Sequence, residues 1–371
     1  MTDAPDPIPG TPEITVDLGA VRRNYRRMAA RGSGQAGAAV KADAYGCGMV
    51  DVAPVLYDEG CRTFFVALLS EGVRLRAILG NEPGHNHGHV PTHIYVLDGL
   101  APHSAPVFRQ NDLRPVLGSM DEVTEWLETG GDNCGACALH VDTGMTRLGL
   151  RFDALIDPHA LKTVRALAPD LLMTHMACAD TPKHPLNTQQ IARFQEVSTL
   201  LPGTPTSLAN SASLINGWDT GHAVSRPGIA LYGGRSALAV SDAPETVVTL
   251  HAPILQVRDV KAGETVGYGA SWTSERDSRI AVVAAGYADG YQRAAGNAAI
   301  AAIGDQRVPV VGRVSMDLTA LDVTDLPDGL AKRGMTAELL GPNVSVDDVA
   351  DAAGTIGYEI LTQLSRRALR R

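Results

Sequence analysis

The sequence predicts an α/β protein, with an N-terminal (β/α)8 TIM-type barrel over residues 1–244 and a mainly β C-terminal domain over residues 245–371. Three observations carry this reading. A chain of 371 residues exceeds what one hydrophobic core usually organises, so two domains, or a barrel with a companion, are expected. Up to about residue 235, eight short apolar runs alternate with longer amphipathic stretches. Past Gly233-Gly234 the texture changes through a small-residue, proline-containing stretch ending near Pro244, and no long amphipathic segment returns until the C-terminus.

In order, the predicted barrel strands are Ala36–Val40, Thr63–Leu69, His93–Leu97, Arg114–Leu117, Ala138–Val141, Leu171–His175, Thr206–Ala209 and Ala223–Arg226. Helical segments fall between most of them, at Val52–Glu59, Glu71–Leu79, Met120–Thr129, Phe152–Leu167 and Gln189–Leu201. Repeated strand–helix units demand right-handed crossovers and a parallel sheet, and eight of them favour closure. An open doubly wound sheet is the alternative, but no Gly-x-Gly-x-x-Gly turn, Walker loop or Gly-x-Ser-x-Gly elbow follows any strand. In the second domain Thr246–Val257, Arg279–Ala285, Ala298–Ile303, Arg307–Val311 and Leu318–Val323 read as strands, with a turn at Gly304-Asp305.

Composition narrows the function. A formal net charge of −9 with dispersed lysines and arginines argues against nucleic acid as a partner. The acidic, proline-containing start lacks the pattern of an export signal, and no apolar run approaches the ~20 residues of a membrane span. A cytoplasmic protein with no membrane partner is expected. Five unevenly spaced cysteines fit a reducing compartment. Cys134-Gly-Ala-Cys137 lacks a second ligand pair, and His85, His87, His89 and His93 sit in loop-like surroundings, so no functional metal is expected.

Chemistry in such a barrel belongs at the C-terminal ends of the strands, whose loops bring side chains to one mouth. Polar residues gather at those exits: Lys41 after the first strand, Asp142 to Arg147 after the fifth, His175 at the sixth, Asn210-Ser211 at the seventh and Arg226-Pro-Gly-Ile229 at the eighth. A lone lysine is more often a snorkelling surface residue. Held in a barrel mouth, it would lose hydration and favour its neutral, nucleophilic form, which suits a Schiff base with an aldehyde cofactor. Donors from Ser211 and the Gly228-Ile229 backbone lie where such barrels bind phosphate. Lysine beside a phosphate site points to pyridoxal 5'-phosphate.

The segment Ala39-Val-Lys-Ala-Asp-Ala-Tyr-Gly-Cys-Gly48 resembles the cofactor-attachment signature of alanine racemases. Further similar motifs follow in family order: Asp142-Thr-Gly-Met-Thr-Arg-Leu-Gly149, Thr174-His-Met-Ala177, Ala209-Asn-Ser-Ala212, Arg226-Pro-Gly-Ile-Ala-Leu-Tyr-Gly233, Val266-Gly-Tyr-Gly-Ala-Ser-Trp272, Gly312-Arg-Val-Ser-Met-Asp317 and Gly357-Tyr-Glu-Ile-Leu-Thr362. The resemblance implies interconversion of L- and D-alanine, supplying D-alanine for peptidoglycan or serving its catabolism. It implies that Lys41 holds the cofactor and exchanges a proton with the D enantiomer while Tyr268 serves the opposite face. Two bases suit racemisation, because a proton leaves one face of a planar carbanion and returns to the other. Tyrosine is a poor base near neutral pH, and the resemblance sets His175 and Arg226 beside it in a hydrogen-bond network.

By the same resemblance, Arg226 faces the pyridine nitrogen and discourages its protonation, and Tyr45, Asn210, Ser211, Gly228, Ile229 and Tyr358 surround the cofactor. Arg147 and the Met316 backbone hold the substrate carboxylate, with Asp317 beside them. The family also implies a homodimer with shared active sites, in which Lys41 of one subunit faces Tyr268 of the other. His140 departs from the pattern, since many members carry there a lysine that becomes carbamylated, so something else must orient Arg147. Ser207, Ser315 and Met176 also differ from some relatives. The rival readings are a racemase for serine or a wider set of amino acids, a non-catalytic cofactor-binding barrel, and a decarboxylase of the same fold type. The second domain with its Tyr268 motif speaks against the non-catalytic barrel, and the combined Tyr45-Gly46 and Tyr268-Gly269 motifs speak against the decarboxylase, which also has two domains.

Overall fold

The structure, a computed structural model, describes residues 9–80, 91–130, 135–219, 221–237, 243–364 and 367–370. His85, His87, His89 and Cys134 lie outside the described residues. Parallel pairing runs in sequence order from Ala38–Ala39 through Thr63–Val66, His93–Val96, Arg114–Leu117, Ala138–Asp142, Leu171–Met173 and Thr206–Ser207. A parallel bridge from Asn210 to Arg226 adds the eighth strand, Val224–Ser225, which pairs in turn with Gln35–Ala36 and closes the ring. Parallel strands buried on both faces read as nearly continuous apolar runs, and Thr63–Val66, with all four residues buried and three of them apolar, has that character.

Helices cover the outside. Those at Met49–Asp58, Leu69–Leu79, Met120–Gly130 and Pro185–Leu200 match the periodicity closely. The segment expected as one helix over Phe152–Leu167 is broken into a 3-10 turn, Phe152–Ile156, and a helix, Pro158–Leu167. Asp157 caps the second piece through the amide of His159, and Pro158 takes the first helical position, where its missing N–H is harmless.

The second domain is built on Val248–Val260, a bent strand of 13 residues whose register shifts twice. Around it the antiparallel order is Ser278–Val283, Thr319–Asp322, Gln306–Val311, Ile300–Ile303, Thr336–Leu340 and back to Val248–Val260, which also pairs with Ser278–Val283. Gly304-Asp305 makes the expected hairpin turn, with Ile303 opposite Gln306. Glu13–Val16, from the opposite end of the sequence, joins this sheet between Val248–Val260 and Leu369–Arg370. The sequence reading of residues 1–244 as barrel does not anticipate that strand's place. One apolar cluster runs from the barrel interior into the second sheet.

Candidate active site

Lys41 leaves the first strand into an unusual piece of backbone. Ala42, Asp43, Ala44 and Tyr45 all have φ between 51° and 57°, forming a left-handed helical turn that ends at Gly46. Each such residue costs about 1–2 kcal/mol with a Cβ present, so the surroundings must hold the turn. Glu71 accepts from the amide of Ala42 at 2.6 Å while also accepting from Ala67 and Leu68. Asp43 accepts from the Met49 amide and from Arg74. Burial pulls the Lys41 amine below the usual lysine range, with Arg147 adding to the effect and Asp98 and Glu71 opposing it.

After the fifth strand, Asp142 Oδ1 accepts from the amides of Gly144, Met145 and Thr146 at 2.9–3.1 Å, fixing the loop that delivers Arg147. The Arg147 guanidinium has no hydrogen-bond partner among the described residues and lines the cavity with Lys41. His140 points into the same cavity, its ring pulled down to about 4 by burial, with Arg226 repelling the proton, Asp142 attracting it and Arg147 repelling it. His175 is pulled well below the usual range by burial and then by Arg226 and Arg147. Both imidazoles are therefore neutral near pH 7.

Arg226 is 5% exposed and donates to Ser207 Oγ and to the carbonyls of Thr174 and Leu208, with His175 Nδ1 at 3.4 Å. Its burial lowers it to about 10, with Asp219 opposing, so it stays cationic at neutral pH. Ser211 Oγ accepts from the amides of Gly228 and Ala230. A Cβ on Gly228 would lie 2.3 Å from the Tyr45 hydroxyl, so only glycine lets the phenol reach this backbone. Tyr45 stacks on Tyr232 at 4.8 Å and meets Tyr358 at 5.9 Å. Neither the Tyr45 nor the Tyr358 hydroxyl has a hydrogen-bond partner among the described residues, and both side chains line the cavity. With Asn210, Ile229 and Asp98 they complete a space of about 460 Å³ at the barrel mouth. Two unpaired phenols, a serine hydroxyl and the start of the turn Ile229–Tyr232 form a donor set that fits a phosphate monoester, with Lys41 across the cavity for an aldehyde.

Tyr268, Met316 and Asp317 are not in that space. They line a second cavity of about 530 Å³ on the β domain with Tyr287, Arg293 and Arg313. Tyr268 is 73% exposed and Met316 53%. Asp317 is held by Arg367, which also grips the buried Asp289. Glu71 and Asp98, which shape the surroundings of Lys41, were not singled out by sequence; the available signal for Glu71 was its place at the third residue of a helix following a strand, where a carboxylate reaches back to free amides.

Residues 16–236 match the alanine racemase N-terminal domain and residues 247–371 the C-terminal domain. The chain belongs to the alanine racemase family. It is 47% identical over 358 residues to an alanine racemase of Methylobacterium nodulans, covering 95% of this chain and 94% of that protein. A biosynthetic alanine racemase of Agrobacterium fabrum is 42% identical over 95% of this chain and 92% of its own length, and a catabolic one from the same organism 39% identical over 95% and 90%. The alanine racemase of Bartonella henselae, solved with covalently bound pyridoxal phosphate, superposes with a TM-score of 0.88 at 34% identity, covering 98% of this chain and 99% of that one. Among the described residues no helix is long and apolar enough to cross a membrane, and no group of three or more His, Cys, Asp or Glu side chains converges as a metal site.

Proposed function

We propose that this alanine racemase interconverts L- and D-alanine with pyridoxal 5'-phosphate held by Lys41, working in the cytoplasm as a homodimer. The observation that carries this reading is the barrel-mouth cavity, which one lysine with a depressed amine lines together with two unpaired phenols and the Ser211 hydroxyl. The cofactor, when bound, supplies the electron sink that makes the substrate Cα–H acidic. Tyr45, Ser211, Tyr358 and the backbone at Gly228-Ile229 hold its phosphate, and Asn210 lines the wall beside them. Arg226, fixed by four acceptors, presents a cation to the ring nitrogen and discourages a proton there. Arg147 takes the substrate carboxylate, aided by the Met316 amide with Asp317 next to it.

Lys41 Nζ moves the proton on one face of Cα, and the Tyr268 hydroxyl moves it on the other. Within one subunit these groups sit in different cavities. Pairing the exposed Tyr268 cavity with a partner's barrel mouth would bring them together and exclude water from the substrate Cα. Purified protein incubated with each L-amino acid should form D-alanine fastest by chiral chromatography, with serine weaker and leucine or lysine negligible. Lys41→Ala should lose both the visible cofactor absorbance and the activity. Retention of both would refute the assignment.

A further inference from the structure

His140 offers Arg147 no anion, yet the loop after the fifth strand is held with unusual care on its far side. The helix Pro185–Leu200 runs along that loop. Its Gln190 is fully buried and makes three bonds to two different barrel exits. Gln190 Nε2 donates to Thr143 Oγ1 at 3.2 Å and to the carbonyl of His175 at 2.9 Å, while Oε1 accepts from the Ala177 amide at 2.8 Å. One turn on, Arg193 donates to the Thr143 carbonyl at 2.9 Å. Thr143 also shares a hydroxyl bond of 2.8 Å with Thr174, the residue before His175. A Cβ on Gly144 would lie 3.0 Å from Leu186 Cδ1 and 3.4 Å from Gln190 Cγ, so the loop backbone lies flush on the helix.

We propose that Gln190 is a positioning residue for substrate recognition: it fastens the loop carrying Arg147 to the strand end carrying His175, and so sets the reach of Arg147 in place of a side-chain partner for the guanidinium. This rests on the reading of Arg147 as the carboxylate-binding group. An amide is suited to the task because it donates and accepts at once, answering a hydroxyl, a carbonyl and an amide with one planar group. Asp142 gathers the near side of the loop by accepting three amides, and Gln190 with Arg193 fixes the far side. Arg147 then leaves a backbone braced on both sides, and its guanidinium needs no anchor of its own.

The test measures equilibrium binding of propionate, which carries the substrate carboxylate without the amine, to the holoenzyme by its effect on the visible spectrum, together with KM, kcat and cofactor content. Thr143→Val removes the hydroxyl's bonds to Gln190 and to Thr174, Thr174→Val removes the second of these alone, Gln190→Leu removes all three bonds of the amide, Thr143→Ser restores the hydroxyl, and Arg147→Lys serves as the reference. Thr143→Val should weaken propionate about tenfold and raise KM by a similar factor, the loss expected when a charge-assisted bond is misaligned, with kcat and cofactor content little changed. Thr143→Ser and Thr174→Val should bind as wild type, and a loss in Thr174→Val equal to that in Thr143→Val would assign the effect to the Thr174 bond and overturn the role of Gln190. If Gln190→Leu does not fold, because it strands a buried carbonyl and amide, Thr143→Val still decides. Wild-type propionate binding by Thr143→Val alongside weak binding by Arg147→Lys would overturn the role of Gln190. Wild-type binding by Arg147→Lys would overturn the reading of Arg147 itself.

Discussion

His140 and His175 are imidazoles kept neutral by burial among cations. A buried histidine whose folded value lies below its unfolded value contributes no penalty above about pH 6.5. As pH falls below that point the unfolded chain binds the proton and the folded one does not, so stability declines with acidity. For His140, whose folded value is about 4, the decline amounts to roughly 3 kcal/mol between pH 6.5 and 4. Urea unfolding of the holoenzyme between pH 7 and 4.5 should show this slope, and His140→Asn should reduce it by about one proton. Equal slopes in the two proteins would remove His140 from the account. The place of His140 in the fifth barrel strand was legible, because it lies in the apolar run read as Ala138–Val141. The charge state of His140 depends on its burial in the barrel mouth and on Arg226 arriving from the eighth strand, neither of which the sequence pattern displays.

Among the local elements, the left-handed turn after Lys41 was the least legible. Ala42, Asp43, Ala44 and Tyr45 carry no glycine or asparagine to announce positive φ. Their conformation is imposed by Glu71, Asp43 and the packing of Tyr45, which only the tertiary structure supplies. Ala42 is exposed, so glycine there loses no packing and relieves the steric penalty. Ala42→Gly should therefore raise unfolding stability by about 0.5–1 kcal/mol after its own entropic cost, against the usual direction for that substitution. Asp43→Ala should lower it by about 1–2 kcal/mol, because the Met49 amide and Arg74 both lose their acceptor. Denaturant midpoints would check both signs, and a destabilised Ala42→Gly would contradict the claim of strain. By contrast, the eight barrel strands were legible because short apolar runs at regular spacing leave few alternatives. The break at Asp157-Pro158 carried its own capping and proline signal within the segment read as one helix.

At the scale of the whole molecule, the two halves of the proposed chemistry occupy separate cavities of one subunit. Inactive Lys41→Ala subunits mixed with inactive Tyr268→Phe subunits, after dissociation and reassociation, should regain activity. Random pairing makes about half the dimers mixed, each with one intact site and one doubly defective site, so recovery should approach roughly a quarter of wild-type sites. If each tyrosine served its own subunit's lysine, mixing would restore nothing. The sequence supplied both groups through their motifs, but periodicity within one chain holds no information about which copy they meet.

The place of Glu13–Val16 sets a schedule for biosynthesis. This strand is made long before its partners, since its antiparallel neighbour begins at Val248, 232 residues after Val16, and its other neighbour starts at Leu369. At ordinary translation speeds of 5–20 residues per second, roughly 10 to 50 seconds pass before the first partner is made. The barrel can be completed on the ribosome in that interval while both backbone edges of the strand stay unpaired. Leu369–Arg370 then pairs with the edge of Glu13–Val16 that Val248–Val260 leaves open, so this sheet is completed only after every strand of the barrel has been made.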